Sequence, residues 1–496
     1  MDKLRPSSIV LLTRRGGAEV YLVDRAPQLR FFGGYRALPG GVVDRRDRVG
    51  DDPPDGHRTL LRCAARELFE ETGVLVPELA RGLDADARAA LRNDLIDETP
   101  AAEAFWERMD ATPEALDALL PFGELVTPAF APVRYRTRLY HLELPAGEDP
   151  TILPGELVGG NWIHPAAEFD RWLRGEARIV PPVLFLLNVL RKGPLVDALD
   201  AARVICAELE QGQLHPVRFT PGVLTLPLRT PTIPPATTTN TYFVGERELY
   251  VVDPATPYPD EQHRLFRLMD RLLAEGRTFA GILATHHHPD HIGAVVETSH
   301  RYDLAVHGHA LTLDRIPGDF RRGRELTDGD TFDLGTAPDG SPDWRLEAYH
   351  TPGHDRGHLV FVESRYRAAI AGDLVSTLST IVIDPPEGHL ATYLASLARM
   401  RDVELGTLYP AHGPATYRSR ELLAHYLKHR GEREEALIAA LGRGVGSVDQ
   451  LVPEVYSDVD AALYPVAARS LLAGLEKLAE EGRVTRGAGS WSLVGA

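Results

Sequence analysis

Seven residues, Thr285-His286-His287-His288-Pro289-Asp290-His291, constrain this chain more than any other stretch. They follow Phe279-Ala280-Gly281-Ile282-Leu283-Ala284, a short apolar run of the kind that fills a buried strand. The run breaks at a proline, and a helix-like pattern resumes after Gly293. Imidazoles and a carboxylate crowded onto a strand-to-helix turn make poor core. They make a good metal site, because borderline cations such as zinc take imidazole nitrogen and carboxylate oxygen. Three later turns repeat the arrangement. Tyr349-His350-Thr351-Pro352-Gly353-His354 carries a histidine at its tip, Ala371-Gly372-Asp373 closes the apolar run Ala368-Ala369-Ile370, and Leu408-Tyr409-Pro410-Ala411-His412-Gly413 closes another. Each sets one ligand-capable residue at the end of a predicted strand, where an α/β fold gathers its chemistry.

In this order, over roughly residues 217–415, the elements resemble those of the metallo-β-lactamase superfamily. The resemblance implies an αββα sandwich holding two Zn²⁺ ions, with Mn²⁺ or Fe²⁺ also suited to such ligands. It assigns His286, His288 and His354 to one metal and Asp290, His291 and His412 to the other, with Asp373 bridging the pair. His287 falls at a variable position and receives no role. Asp253, in Tyr250-Val251-Val252-Asp253, matches an acidic position that supports the site rather than binding metal. Two cations would hold a water, lower its pKa towards neutrality and polarise the bond it attacks. Asp290 can orient that water and accept its proton. No protein nucleophile is needed, and none is evident.

A second candidate site lies near the start of the chain. Ile9–Leu12 and Val20–Val23 flank Arg15-Gly16-Gly17 and predict a hairpin. Pro39-Gly40-Gly41 follows, a turn tight enough for backbone to approach a phosphate. Thr59 to Glu71 has helical apolar spacing, and Glu67, Glu70 and Glu71 at i, i+3 and i+4 share one face. Like charges cluster at a cost unless a cation offsets them, and oxygen ligands of this kind suit Mg²⁺ or Mn²⁺. With Arg66-Glu67 ahead and Thr72-Gly73 behind, the stretch resembles the Nudix hydrolase box. It departs from it twice: Asp47 stands where the box has Glu, and Arg48–Asp55 lengthens the spacer.

A stretched box resembles the coenzyme A diphosphatase branch. Arg25, Ala26, Arg30, Gly34, Pro39, Gly40 and Gly41 fit that branch's upstream pattern, with Leu38 in place of Phe. Thr127-Pro128, Arg134-Tyr135-Arg136-Thr137-Arg138, and Glu156 ahead of Trp162-Ile163 agree with it. The resemblance implies diphosphate hydrolysis of CoA or a related nucleotide derivative. Glu67, Glu70 and Glu71 would hold metal, one of them serving as base, while Arg25, Arg30, Gly40 and Gly41 would meet substrate and Arg66 would orient a carboxylate. The alternative is a non-catalytic nucleotide-binding or regulatory half.

At 496 residues the chain exceeds one compact core. Three domains are expected: 1–215 with a helical insert over Ala80–Leu120, 216–415, and 416–496, giving a multidomain α/β and α+β protein. Past His412 the pattern turns helical. Arg420–Leu441, a short helix through Val455 capped by Ser447, and Ala461–Glu481 precede Arg483-Val484-Thr485 and Trp491-Ser492-Leu493-Val494, the order of a winged helix. Tyr426-Leu427-Lys428-His429-Arg430, Val455-Tyr456-Ser457-Asp458-Val459 and the stretch from Ser379 to Leu397 resemble the β-lactamase-like ribonuclease branch, implying single-stranded RNA as substrate. The wider superfamily implies acyl thioesters.

A net charge of −17 argues against wholesale binding of duplex DNA, which needs a basic face. Cys63 and Cys206 lie in apolar helical patterns, which makes them core and suits a reducing interior. With no signal peptide or membrane-spanning run evident, a cytoplasmic location is expected, and a homodimer is possible.

Overall fold

The computed structural model describes residues 4–29, 32–144, 148–487 and 489–495. The chain divides into two compact units, Met1–Pro221 and Gly222–Ala496. Among the described residues, no helix is long and apolar enough to cross a membrane.

In the first unit the expected hairpin forms from strands Arg5–Arg14 and Glu19–Arg25. Arg15, Gly16 and Gly17 turn between them with positive φ, which glycine adopts at little steric cost. Strand Arg5–Arg14 pairs in parallel with Tyr135–Glu143 and antiparallel with the short strand Gly40–Val42. Helix His57–Thr72 buries Leu60, Leu61, Ala64, Ala65, Leu68 and Phe69 and leaves its acids on the other side. It ends at Gly73, whose φ of 70° lets its N–H return to the Phe69 carbonyl at 2.8 Å.

At its start Gly56 has no side chain to offer. Asp52 in the lengthened spacer accepts from both the Thr59 N–H (2.8 Å) and hydroxyl (2.9 Å) instead. The near end of the spacer is closed by a reciprocal pair, in which Asp44 accepts from Arg46 N–H and Asp47 from Asp44 N–H.

The insert is helical, with helices Ala85–Ile96 and Glu103–Ala111. Phe105 stacks on Phe69 with centroids 5.5 Å apart, and the Arg62 and Arg46 guanidinium groups lie over the Trp106 ring. Arg92 is buried and donates to the Glu70 and Thr151 carbonyls, a cation set at the helix C-terminus. Cys63 and Cys206 are both buried, as their apolar helical settings predicted.

The second unit is a sandwich of a six-stranded and a five-stranded sheet. Strand Thr278–Leu283 lies between Glu248–Val252 and Val306–Gly308, parallel to both, which is why its sequence is a continuous apolar run. In the other sheet Trp344–His350, Leu359–Glu363 and Ala369–Gly372 run antiparallel in turn. Ala369–Gly372 then pairs in parallel with Leu408–Pro410, across the helix Leu390–Asp402. The candidate ligands follow the ends of Thr278–Leu283, Trp344–His350, Ala369–Gly372 and Leu408–Pro410.

Beyond the sandwich come helices Ser419–Gly442, Val448–Val455 and Tyr464–Glu480 and the hairpin Val484–Arg486 with Trp491–Leu493. They share a core of residues including Leu437, Leu451, Leu471, Leu475 and Trp491. Two local expectations need correction. Ser447 sits at the helix start, but its hydroxyl pairs with the Gln450 side chain at 2.9 Å and caps no N–H. The third helix begins at Tyr464, after a tighter turn over Ala461–Leu463, because Asp460 accepts from Ala462 N–H and closes that turn first.

Gly353, in the turn before His354, has φ +134°, and a Cβ there would lie 2.3 Å from the Tyr393 backbone. Gly353→Ala is therefore expected to cost about 1–3 kcal/mol of stability. A lowered urea midpoint checks this, and an unchanged midpoint would show that the turn accommodates a side chain.

Candidate functional site

In the second unit the four strand ends bring the predicted ligands together. Ligand atoms of His286, His288, His354 and Asp373 lie within 4.8 Å of one another, and so do those of Asp290, His291 and His412. His288 Nδ1 is 3.0 Å from His286 Nε2 and 3.0 Å from His354 Nε2. Asp373 stands between the sets. Its Oδ2 is 3.4 Å from His354 Nε2, while its Oδ1 is 3.5 Å from His291 Nε2 and 3.3 Å from His412 Nε2. Asp290 Oδ2 reaches His412 Nε2 at 3.5 Å.

The far nitrogen of most of these rings meets an oxygen that fixes its orientation. His354 Nδ1 is 2.8 Å from the Val382 carbonyl, His412 Nδ1 is 3.1 Å from the Thr238 carbonyl, and His286 Nδ1 is 3.0 Å from the Thr285 hydroxyl. Asp253 accepts from Thr285 N–H (2.8 Å) and hydroxyl (2.6 Å) and lies 2.8 Å from His291 Nδ1. It does so at φ 48°, a backbone conformation unusual away from glycine. Its carboxylate is thus spent on the frame of the site.

Electrostatics separate the two sets. Burial and the crowd of neighbouring imidazoles hold His286 well below the usual histidine range and push His288 down to about 4. Burial is the largest influence and disfavours the cationic forms of His291 and His412, yet the surrounding carboxylates together outweigh it and raise both, Asp373 with Asp253 and Asp290 at His291 and Asp373 with Asp290 at His412. Asp373 is itself held far below the carboxylate range, because His412 and His291 overcome its desolvation. His291 Nε2 and Asp373 Oδ1 are buried with no hydrogen-bond partner. Neutral imidazoles on one side and orphaned ligand atoms on the other are a donor set that fits cations.

Two residues escaped the sequence reading. His358 is fully buried, meets the Thr351 hydroxyl through Nδ1 at 2.8 Å and accepts the Asp373 N–H through Nε2 at 3.0 Å. The only sequence signal was its place directly before the apolar strand Leu359–Glu363. His287, given no role, lies 2.6 Å from the buried Asp355 carboxylate and ties one histidine turn to the next.

In the first unit Arg66 is the hub. It donates to both oxygens of the fully buried Asp47 (2.9 and 3.0 Å), to Glu67 at 2.9 Å and to Glu70 at 2.9 Å. Asp47 therefore orients Arg66 and is no free fourth ligand; a carboxylate one methylene shorter still reaches. Glu71 accepts the Gly40 N–H at 2.8 Å, and a Cβ on Gly41 would strike the Glu67 carboxylate at 2.5 Å. The paired glycines thus make room for the carboxylates.

Arg25 acts electrostatically on Glu71 from the end of its strand, and Arg30 lies outside the described residues. Burial, reinforced by Glu67, pushes Glu71 up to about 8. Burial pushes Glu70 up to about 7 against the pull of Arg66. Among the described residues, these three carboxylates do not converge within the 4.8 Å that gathers the histidine sets.

Residues 3–105 match the NUDIX domain model, 234–412 the metallo-beta-lactamase superfamily and 447–491 the beta-lactamase associated winged helix domain. Lactamase-like protein nscB of Arthroderma gypseum is 30% identical over 263 residues, spanning 50% of this chain and 78% of that protein. This chain belongs to the metallo-β-lactamase superfamily. Other relatives within the superfamily include Atrochrysone carboxyl ACP thioesterase dmxR1 of Cryptosporiopsis sp., 29% identical over 52% of this chain and 80% of its own length. A beta-lactamase-like protein 2 homolog of Caenorhabditis elegans is 28% identical over 50% and 80%. This metallo-β-lactamase-superfamily protein is a hydrolase with an additional Nudix domain and a winged helix. Both hydrolase families work with divalent metals.

The His358 pKa is pushed down to about 3 from 6.5 by burial and then by His354. Between those values the unfolded chain binds a proton that the native state refuses, so His358 makes metal-free protein less stable as pH falls. His358→Gln removes that pH dependence. The stability gap between wild type and variant is expected to narrow from about pH 7 to about pH 5. Urea midpoints in chelator check this, and a constant gap would contradict it.

Proposed function

We propose that the protein is a two-site hydrolase of three domains, 1–215, 216–415 and 416–496. The observation carrying this reading is the division of Asp373 between two sets of side chains, Oδ2 towards His354 and Oδ1 towards His291 and His412. His286, His288 and His354 would hold one cation and Asp290, His291 and His412 the other, with Asp373 shared. Imidazole and carboxylate donors favour Zn²⁺, with Mn²⁺ or Fe²⁺ also suited. Such a pair, when bound, lowers the pKa of an attacking water and polarises the bond under attack. Asp290 is the base: it is partly exposed at the site, beside His412. Asp253, Thr238 and Val382 hold the rings still while the proton moves.

Acyl thioester hydrolysis is the leading reaction for this site, supported by the relative named as an ACP thioesterase. The winged-helix match favours single-stranded RNA as the second substrate class. The Nudix half would hydrolyse the diphosphate of CoA or a related nucleotide derivative, with Glu67, Glu70 and Glu71 holding Mg²⁺ or Mn²⁺ and Arg25, Gly40 and Gly41 beside the substrate. Both halves would then dismantle acyl-CoA. A non-catalytic, nucleotide-binding role for the Nudix half is the second reading, favoured by Glu67 and Glu70 sharing one Arg66 nitrogen.

Offered acyl-CoA and short RNA, the purified protein should release free thiol with Zn²⁺ and 3′,5′-ADP with Mg²⁺, or RNA fragments if RNA is the substrate. No product of any kind would end the proposal. Asp290→Asn is expected to slow the zinc-dependent reaction by about 10²–10⁴-fold, a general base's share. An unchanged rate would remove Asp290 from that role. Glu70→Gln with Glu71→Gln should abolish 3′,5′-ADP release and spare thiol release; if every activity survives, the N-terminal half is a binding module.

The Nudix carboxylates also give a pH signature. Pushed up to about 7 and about 8 from 4.5, Glu70 and Glu71 hold protons that an unfolded chain releases. Metal-free protein therefore loses their contribution to stability as pH rises through that window. A bound Mg²⁺ relieves the repulsion, so its thermal stabilisation should grow from about pH 6 to about pH 8. The same growth in the double Gln variant would show that Mg²⁺ binds elsewhere.

A further inference from the structure

The segment from Leu374 to Ile383 follows Asp373 and touches three of the proposed ligands. Asp373 begins it. The Ser376 hydroxyl (3.1 Å) and the Thr377 N–H (3.2 Å) donate to the His412 carbonyl, and the Val382 carbonyl meets His354 Nδ1 at 2.8 Å. The segment carries neither helix nor strand, so individual bonds hold its groups. Within it the Ser376 hydroxyl accepts the Leu378 and Ser379 N–H groups (3.1 and 3.3 Å), and from the sandwich the Tyr393 hydroxyl donates to the Leu374 carbonyl at 2.8 Å. The remaining restraint comes from helices beyond the sandwich.

Tyr426, on helix Ser419–Gly442, is 2% exposed. Its hydroxyl accepts the Ser376 N–H at 2.8 Å and points its proton towards the carbonyls of Ser376 (3.0 Å) and Ser379 (2.7 Å). One turn on, the buried Arg430 donates to the Ile381 carbonyl. From helix Tyr464–Glu480, within the winged-helix match, the Ser470 hydroxyl accepts the Ile383 N–H at 3.2 Å. The bonds therefore fall on both sides of Val382 and on the stretch next to Asp373.

We propose that Tyr426 and Ser470 are positioning residues of the paired-cation centre, fixing the 374–383 segment that carries Asp373 at one end and the carbonyl partner of His354 at the other. This rests on the reading of those side chains as metal ligands. The winged helix then completes the hydrolytic centre whatever else it binds. Tyr426→Phe keeps the ring and its packing but leaves the Ser376 N–H without its acceptor, so the stretch next to Asp373 loses one of its supports. Ser470→Ala does the same at the His354 end with a smaller loss of volume.

The test is metal binding by the full chain, read by chelator competition with Zn²⁺ and by the visible absorption of the Co²⁺-substituted protein. Wild type should bind two ions in the second unit. Tyr426→Phe is expected to weaken binding by about 10–100-fold, the usual cost of losing an outer support of a ligand, and to shift the Co²⁺ bands. Ser470→Ala should shift the bands in the same sense, and it serves as the test if Tyr426→Phe does not fold. Arg433→Met breaks a contact between the Ser419–Gly442 helix and Asp458 that does not touch the segment, and should leave the bands unchanged.

Unchanged affinity and bands in both positioning variants would overturn the inference. So would an equal shift in Arg433→Met, because generic loosening would then explain the effect. Failure of wild type to bind two ions would instead sink the ligand assignment beneath it.

Discussion

A single carboxylate shared between two groups of imidazoles is the interaction on which the second unit depends. Asp373 is buried, and its charge survives there because His291 and His412 answer it, while its other oxygen faces His354. Four strand ends must meet to within hydrogen-bonding distance for this to happen. The sandwich provides that meeting point, and the apolar strands leading into it are the scaffold's answer to the cost of burying so much polar chemistry.

Two rings of the site, His354 and His412, are held by main-chain carbonyls. Thr238 and Val382 offer carbonyls, and Asp253 and His358 reach the backbone or the rings of neighbouring turns. Main-chain partners fixed by strand pairing give rings less freedom than side-chain partners would. Val382 is the exception, since its segment has no strand to hold it and borrows rigidity from the C-terminal helices. In the Nudix unit the same task falls to side chains, with Arg66 joined to Asp47, Glu67 and Glu70.

Much of this was legible in the sequence because the candidate ligands adjoin strand ends. The crowded turn after a buried strand marked the stretch, and the resemblance to the superfamily picked out His286, His288, Asp290 and His291 there and His354, Asp373 and His412 in the later turns. The hairpin, the carboxylate helix and the winged-helix order were legible for the same reason: each is a local pattern of apolar period and turn residues. What stayed hidden depends on distant contacts. His358 reads as one more histidine until its two nitrogens are seen to meet Thr351 and the Asp373 backbone. Asp47 read only as a departure from the box, because its partner, Arg66, lies across the spacer. Tyr426 stands about fifty positions from the segment it holds, and no periodicity reports that.

The lengthened spacer ahead of the carboxylate helix is sealed at each margin, by the Asp44–Asp47 pair on one side and by Asp52 on the Thr59 N–H on the other. Residues between those seals can grow in number at a small entropic cost, since closing a longer loop adds little once its ends are fixed. Evolution can therefore vary this stretch almost independently of the chemistry beside it, and a protein engineer could graft a foreign peptide there while leaving the register of the acids undisturbed.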